Sequence, residues 1–266
     1  MILINGNLEH LIDVSDRGLQ YGDGLFETIA VRQGQPVRLP AHLARLKVGC
    51  ERLAIPFQIL DTLIDEIDQV VRGSSSAILK VIVTRGVGGR GYRQPEEIKP
   101  TRIISLHPFP DYPDAYQQQG INVLFCKTRL GLNPDLAGIK HLNRLEQVLA
   151  RAEWTDPAIQ EGLLSDVLGR VIEGTMSNLF FVKDGVLYTA PITQSGVAGI
   201  MRGLVMELAQ LHKIPVKQRF FDHEQLMTAD EIFVTNSIIG IWPVKRLQEL
   251  RFEVGPISRR FMAWLA

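Results

Sequence analysis

LGLNPDLAGIKHLNRLEQVL, residues 130–149, places Lys140 between a turn-forming run (Asn133, Pro134, Gly138) and an apolar repeat that begins at Leu142. Leu142, Leu145, Leu149 and Ala152 fall at helical spacing, and Asn143 followed by Glu146 has the pattern of a capping box, so a helix is predicted to start near Asn143. The Lys140 amine then sits at the entrance of an element rather than on a solvated helical face. By itself the pattern also suits a surface lysine flanking a helix, so its meaning depends on the rest of the chain.

Around that stretch lie 266 residues, 45% hydrophobic and 22% charged, enough for a sizeable core in one large or two smaller domains. Lysine plus arginine equal aspartate plus glutamate at 29 each, which disfavours nucleic acid or a membrane surface as the main partner and favours a small-molecule substrate. Cys50 and Cys126 occur in apolar segments without a CxxC or histidine-rich neighbourhood, so neither a disulfide framework nor a metal site is expected. The opening MILINGN reads as a short strand and turn, without the marks of a signal peptide, and no apolar run approaches a membrane span. The expected location is the cytoplasm.

Strands are predicted at 2–4, 25–31, 77–84 and 102–106, with amphipathic helices over 40–54 and 61–72, the second capped by Asp61. Three prolines in HPFPDYPDAYQQQG mark an interdomain linker, so the chain divides into an N-terminal α+β domain (1–107), a linker (108–120) and a C-terminal α/β domain (121–266) carrying Lys140. The second domain is read as a strand at 121–126, the Lys140 helix, several further strands and a helix over 199–212.

Four features bear on chemistry. Gly86 to Gly91 fits GxGxxG after a strand, but Tyr92-Arg93-Gln94-Pro95 interrupts any following helix, so a dinucleotide site is rejected. The stretch reads instead as a glycine loop bearing Arg90 and Arg93, suited either to an anion or to a solvated hairpin tip. GVAGIMR (196–202) puts Gly196 and Gly199 before a helix, where free N–H groups and the helix dipole can bind phosphate, although a purely structural turn looks the same. Glu173 lies between the apolar pair Val171, Ile172 and a buried-looking strand, a costly place for a carboxylate without a partner. A lysine able to form a Schiff base, a carboxylate for a pyridinium nitrogen and a glycine-rich helix start are together the groups pyridoxal phosphate requires.

SDRGLQYGDGLFET (15–28), AHLARL (41–46), TRGVGGRGY (84–92), LAGIKHLNRLEQVLAR (136–151), EGTMSNLF (173–180), GVAGIMR (196–202) and TNSIIGIWPV (235–244) occur in an order that resembles the fold-type IV pyridoxal-phosphate enzymes of the class IV aminotransferase family. Within that family the chain looks most like the lyases acting on 4-amino-4-deoxychorismate, over nearly its full length. The resemblance implies a two-domain α+β fold like that of D-amino-acid aminotransferase, with the cofactor in a cleft between domains and a homodimer whose sites borrow residues across the interface. It implies that Lys140 carries pyridoxal 5'-phosphate and Glu173 pairs with its pyridine nitrogen. Arg45, the backbone of Ile200 and Met201, and the side chains of Asn236 and Ser237 are implied to bind its phosphate; related aminotransferases tend to have threonine at the last position.

The activity implied is conversion of 4-amino-4-deoxychorismate to 4-aminobenzoate and pyruvate, in folate biosynthesis. Lys140 is expected to act as base and Arg90 to meet a substrate carboxylate; Thr28, from its place in GDGLFET, either positions or protonates the departing enolpyruvate or is a plain β-branched strand residue. Branched-chain aminotransferases usually place a tyrosine where this chain has Leu145, and D-amino-acid aminotransferases carry an arginine and a histidine two apart where Arg90 is followed by Gly91 and Tyr92. An aminotransferase for D- or branched-chain amino acids is therefore second, and a non-catalytic nucleotide-binding module built on GVGGRG third.

Overall fold

A computed structural model describes residues 1–265. The chain forms two compact units, Met1–Pro110 with Ile139–Asn143, and Asp111–Gly138 with the chain from Arg144 on. Residues 139–143, Lys140 among them, thus pack with the first unit, a division that differs from the predicted placement of this lysine in the C-terminal domain.

The first unit runs β1 (Ile2–Ile4), β2 (Asn7–Leu8), α1 (Arg17–Tyr21), β3 (Gly24–Arg32), β4 (Gln35–Pro36), α2 (Leu39–Arg52), α3 (Leu60–Val71), β5 (Ser76–Thr84) and β6 (Thr101–His107). Its sheet is antiparallel in the order β2-β1-β6-β5-β3-β4. Side chains alternate along β3 with the period of two that a pleated strand imposes. Leu25, Glu27, Ile29 and Val31 are buried on the side where α2 lies against β3, and Phe26 and Thr28 are half-buried on the other. Leu43, Leu46 and Cys50 of α2 and Leu63, Ile67 and Val70 of α3 complete the buried layer, each fully buried aliphatic side chain contributing about 1.5–3 kcal/mol.

Asp61 does not cap α3. The helix starts one residue earlier, at Leu60 after Ile59, and leaves Asp61 in the first turn, where a carboxylate still favours the helix dipole. Residues 139–143 add to the start of β3, with Phe26 N donating to Lys140 O at 3.0 Å and Leu142 N to Gly24 O at 3.0 Å. Glycine is required at position 24, because a Cβ there would meet Val83 O at 2.5 Å and Leu142 Cδ1 at 2.9 Å.

The second unit runs α4 (Ala115–Gln118), β7 (Ile121–Leu130), α5 (Leu145–Arg151), β8 (Glu161–Asp166), β9 (Val171–Gly174), β10 (Asn178–Lys183), β11 (Val186–Thr189), α6 (Ile200–Leu211), β12 (Val216–Gln218), α7 (His223–Met227), β13 (Glu231–Asn236), β14 (Gly240–Leu247), β15 (Leu250–Arg251) and α8 (Pro256–Leu265). Its strands follow the order β12-β11-β10-β13-β14-β7-β8-β9, and a further β9–β10 pair closes the run from β10 to β9 on itself. β7 is parallel to both of its neighbours, β14 and β8. One apolar cluster gathers Val123, Leu163, Ile172, Leu179, Phe181, Val234 and Trp242, and a second packs α6 and α8 on the sheet through Val205, Ala209, Phe180, Phe233 and Phe261.

Two details depart from the sequence reading. Tyr112 and Tyr116 pack edge-on against Trp242 and Gln117 donates to Ile239 O at 3.1 Å, so the chain from Asp111 on is packed structure of this unit within the segment read as linker. The capping box at Asn143 is absent. The helix begins at Leu145 after Arg144, because Asn143 Nδ2 donates to Gly22 O at 3.1 Å and Glu146 Oε1 accepts from Gly131 N at 2.8 Å. Leu145 and Leu149, two of the residues at helical spacing, are exposed, as is Val148 beside them. Among the described residues no helix is long and apolar enough to cross a membrane, and no cluster of His, Cys, Asp and Glu is arranged to hold a metal ion.

Candidate active site

In the first unit the Lys140 amine lies over the Phe26 ring, 4.2 Å from its centroid, where the ring quadrupole attracts a cation. Thr28 follows two residues along β3, half-buried and paired across the sheet with Lys80. Lys140 thus meets the ring of Phe26, and Thr28 lies on the same face of the strand that the 139–143 segment extends.

Arg45 is held from behind. Glu27 Oε1 accepts from its Nε at 2.7 Å and Glu27 Oε2 from its Nη2, while His42 Nδ1 meets Glu27 Oε2 at 2.6 Å. Glu27 and His42 are each 1% exposed. The three side chains come from β3 and from one face of α2, where positions 42 and 45 are neighbours. Burial alone would push the Glu27 carboxyl up, but hydrogen bonds from His42 and Arg45 outweigh it and hold the group below its usual value. A depressed folded-state pKa gives stability that is full above the usual carboxylate range and is lost as pH falls through the folded value. Glu27→Gln is therefore expected to cost about 3–5 kcal/mol at neutral pH, because it leaves a buried guanidinium short of its counter-charge. Wild type and variant should converge in acid, once pH has fallen through the lowered folded value and the carboxylate itself is protonated. Thermal melts at neutral and at acid pH check this, and equal melting at neutral pH would refute it.

In the second unit Glu173 and Asn178 are cross-strand partners in the β9–β10 pair. Glu173, 4% exposed, accepts at Oε2 from Val197 N at 2.9 Å and from Asn178 Nδ2 at 3.2 Å. Asn178 Nδ2 also donates to Val197 O at 2.8 Å, so one amide ties the carboxylate to the glycine loop ahead of α6. The loop fits closely. A Cβ on Gly199 would lie 2.0 Å from Asn178 Oδ1, and Gly196, at φ +85°, would bring one within 3.1 Å of Glu173 Oε2. Gly199 offers α6 no side-chain cap, and the first-turn N–H groups, those of Ile200 and Met201 included, are the ones an α-helix leaves without intrahelical acceptors.

Glu161, 1% exposed, organises the turn between β9 and β10 by accepting from Thr175 N at 3.0 Å, from Thr175 Oγ1 and from Ser177 Oγ at 2.7 Å. Neither Glu161 nor Asn178 was singled out in the sequence, because their roles depend on strand pairing that no local pattern reveals. Asn236 shapes its own turn, its Oδ1 accepting from Ile238 N at 2.8 Å and Ile239 N at 3.0 Å while Nδ2 donates to Met176 O at 3.0 Å. Ser237 is half-buried in that turn. Arg90 is exposed on the loop after β5. The first unit therefore carries Lys140, Thr28, Arg45 and Arg90, and the second Glu173, Ile200, Met201, Asn236 and Ser237.

These donors suit pyridoxal phosphate: a buried carboxylate fixed by two donors on one oxygen, a glycine-lined helix start, and an amine over an aromatic ring. The chain belongs to the class IV amino-transferase family, whose model matches residues 24–247. It is 38% identical to an aminodeoxychorismate lyase of Vibrio harveyi over 98% of this chain and 97% of that one. Among solved structures, a 4-amino-4-deoxychorismate lyase of Pseudomonas aeruginosa matches with a TM-score of 0.97 and 48% identity, over 100% of this chain and 98% of that chain. A branched-chain amino acid aminotransferase of Escherichia coli follows at a TM-score of 0.87 and 29% identity, over 98% of this chain and 91% of that chain.

Proposed function

We propose that the chain is a pyridoxal-phosphate-dependent lyase converting 4-amino-4-deoxychorismate to 4-aminobenzoate and pyruvate. The observation that carries the reading is the full-length likeness to the Pseudomonas aeruginosa lyase, at 48% identity. Bound pyridoxal phosphate supplies an electron sink for the pair released when a proton leaves the carbon bearing the substrate nitrogen.

Lys140 tethers it and then, with its amine freed, takes the proton from that ring carbon. Glu173 holds a proton at the pyridine nitrogen through its carboxylate. Arg45, aimed by Glu27 and His42, binds the phosphate with the first-turn N–H groups of Ile200 and Met201 and with Asn236 and Ser237. Thr28 positions or protonates the enolpyruvyl oxygen as its bond to the adjacent carbon breaks. The ring becomes aromatic, and the protonated fragment becomes pyruvate. Arg90 meets a carboxylate of the dianionic substrate.

The second reading, an aminotransferase for D- or branched-chain amino acids, is favoured by the likeness to the Escherichia coli aminotransferase. Purified protein given enzymatically generated aminodeoxychorismate, without a keto acid, is expected to form 4-aminobenzoate and pyruvate in equal, catalytic amounts. If neither forms, while D-alanine or a branched-chain amino acid shifts the visible absorbance of the protein, the aminotransferase reading replaces the lyase.

A homodimer and a cytoplasmic setting go with the proposal. The sheet face bearing Ile2, Ile4, Ile82 and Ile103 is half-exposed in the first unit, and α5 presents Leu145, Val148 and Leu149 to solvent in the second. Apolar areas of this kind favour association with a second copy. The same preparation should sediment as a dimer; a monomer at micromolar concentration would remove that part.

A further inference from the structure

Gly86, Gly88, Gly89 and Gly91 crowd the segment that carries Arg90, a composition with high backbone freedom. Left alone, such a loop would hold Arg90 in no single place. The structure instead ties it to α1. Arg17, 3% exposed, donates Nη1 to Gly91 O at 2.9 Å and Nη2 to Tyr92 O at 3.4 Å, while its Nε is fixed by Asp23 Oδ2 at 2.9 Å. Arg85 grips the same Asp23 from the other side, through Nε at 2.7 Å and Nη2 at 2.9 Å. The hydroxyl of Tyr21 accepts from Gly91 N at 3.1 Å, and its ring lies under the Arg17 guanidinium at 4.8 Å and edge-on to Tyr92 at 5.6 Å. Gly88 is pressed on the Arg17 side chain, since a Cβ there would lie 2.6 Å from Arg17 Cδ.

We propose that Arg17, assisted by Tyr21, is a positioning residue for the substrate: it fixes the 86–92 loop and thereby presents Arg90 to a carboxylate. The proposal rests on the reading of Arg90 given above. A guanidinium is needed because its rigid fork serves Asp23 and two loop carbonyls at once, which the compact ammonium of lysine cannot do. Asp23 is the fixed post. Burial would raise its carboxyl, but hydrogen bonds from Arg85 and Arg17 hold it below its usual value, so it stays an anion between two cations.

The test uses Arg17→Lys, which keeps the charge and loses the fork, and Tyr21→Phe, which keeps the ring and loses the acceptor for Gly91 N. Both are compared with wild-type holoenzyme. For Arg17→Lys the KM for aminodeoxychorismate is expected to rise about tenfold with kcat within about threefold and cofactor affinity unchanged. Tyr21→Phe should move KM the same way by about threefold. Trypsin supplies a readout independent of activity, because Arg90 is exposed and Gly91, which follows it across the cleavable bond, is held at both its N–H and its carbonyl. Cleavage there, relative to other sites, should accelerate about fivefold in Arg17→Lys.

Wild-type KM and cleavage in both variants would overturn the proposal, as would faster cleavage with an unchanged KM. Loss of cofactor or of kcat at constant KM would reduce Arg17 to structural support and overturn it equally. A wild-type protein without lyase activity would sink the functional reading and Arg90's role with it, whereas the cleavage ratio would still decide whether Arg17 holds the loop.

Discussion

Replacing Lys140 with alanine is expected to abolish both turnover and the visible absorbance of the cofactor-loaded protein. The proposed mechanism gives this amine two tasks, the covalent tether and the base, and a methyl group can do neither. Loss of the base alone would slow the chemical step by about 10²–10⁴, and loss of the tether removes the group on which that step depends. The fold should survive. Lys140 is half-buried, and the bonds by which its segment extends β3 run through backbone atoms, Phe26 N to Lys140 O and Leu142 N to Gly24 O, which alanine retains. Circular dichroism and melting close to wild type, with no absorbance band and no product, are the expected results. An alanine variant that folds and turns over at the wild-type rate would sink the mechanism, whichever substrate it acts on.

The legible parts of the sequence were those whose physics is local. Alternation along Gly24–Arg32 and the apolar period of Leu39–Arg52 follow from the geometry of strand and helix, and both elements lie within a residue or two of where the pattern puts them. The glycine loop after β5 could be separated from a dinucleotide site because no helix follows it. What failed was local pattern overridden by distant partners. Asn143 and Glu146 look like a capping pair, yet one amide goes to Gly22 and the other carboxylate to Gly131. The helical spacing of Leu145 and Leu149 does not tell that α5 turns them to solvent, because periodicity reports which residues share a face and not what that face meets. The Glu27–Arg45 pair spans 18 positions and joins a strand to a helix, and Glu161 reaches residues 14 and 16 further on; such contacts exist only once distant elements have packed together.

Exchange of Glu173 for glutamine is expected to lower kcat about 10²–10³-fold, the scale reported for removing one preorganised electrostatic partner of a transition state. Oε2 accepts from Val197 N and from Asn178 Nδ2, so the fold orients the carboxylate and commits that oxygen to donors. Glutamine can satisfy the same two donors only by placing its carbonyl oxygen there, which turns its NH₂ group towards the place proposed for the pyridine nitrogen. A donor facing that nitrogen favours its unprotonated form, and the electron sink weakens. The opposite rotamer would set NH₂ against two donors and strain the glycine loop before α6. Phosphate binding, assigned to Arg45 and to the first turn of α6, is left undisturbed by the first of these rotamers, so cofactor affinity should fall far less than kcat. Titration of apoprotein with pyridoxal phosphate beside steady-state rates separates the two effects, and unchanged turnover in Glu173→Gln would remove the electron-sink role from this residue.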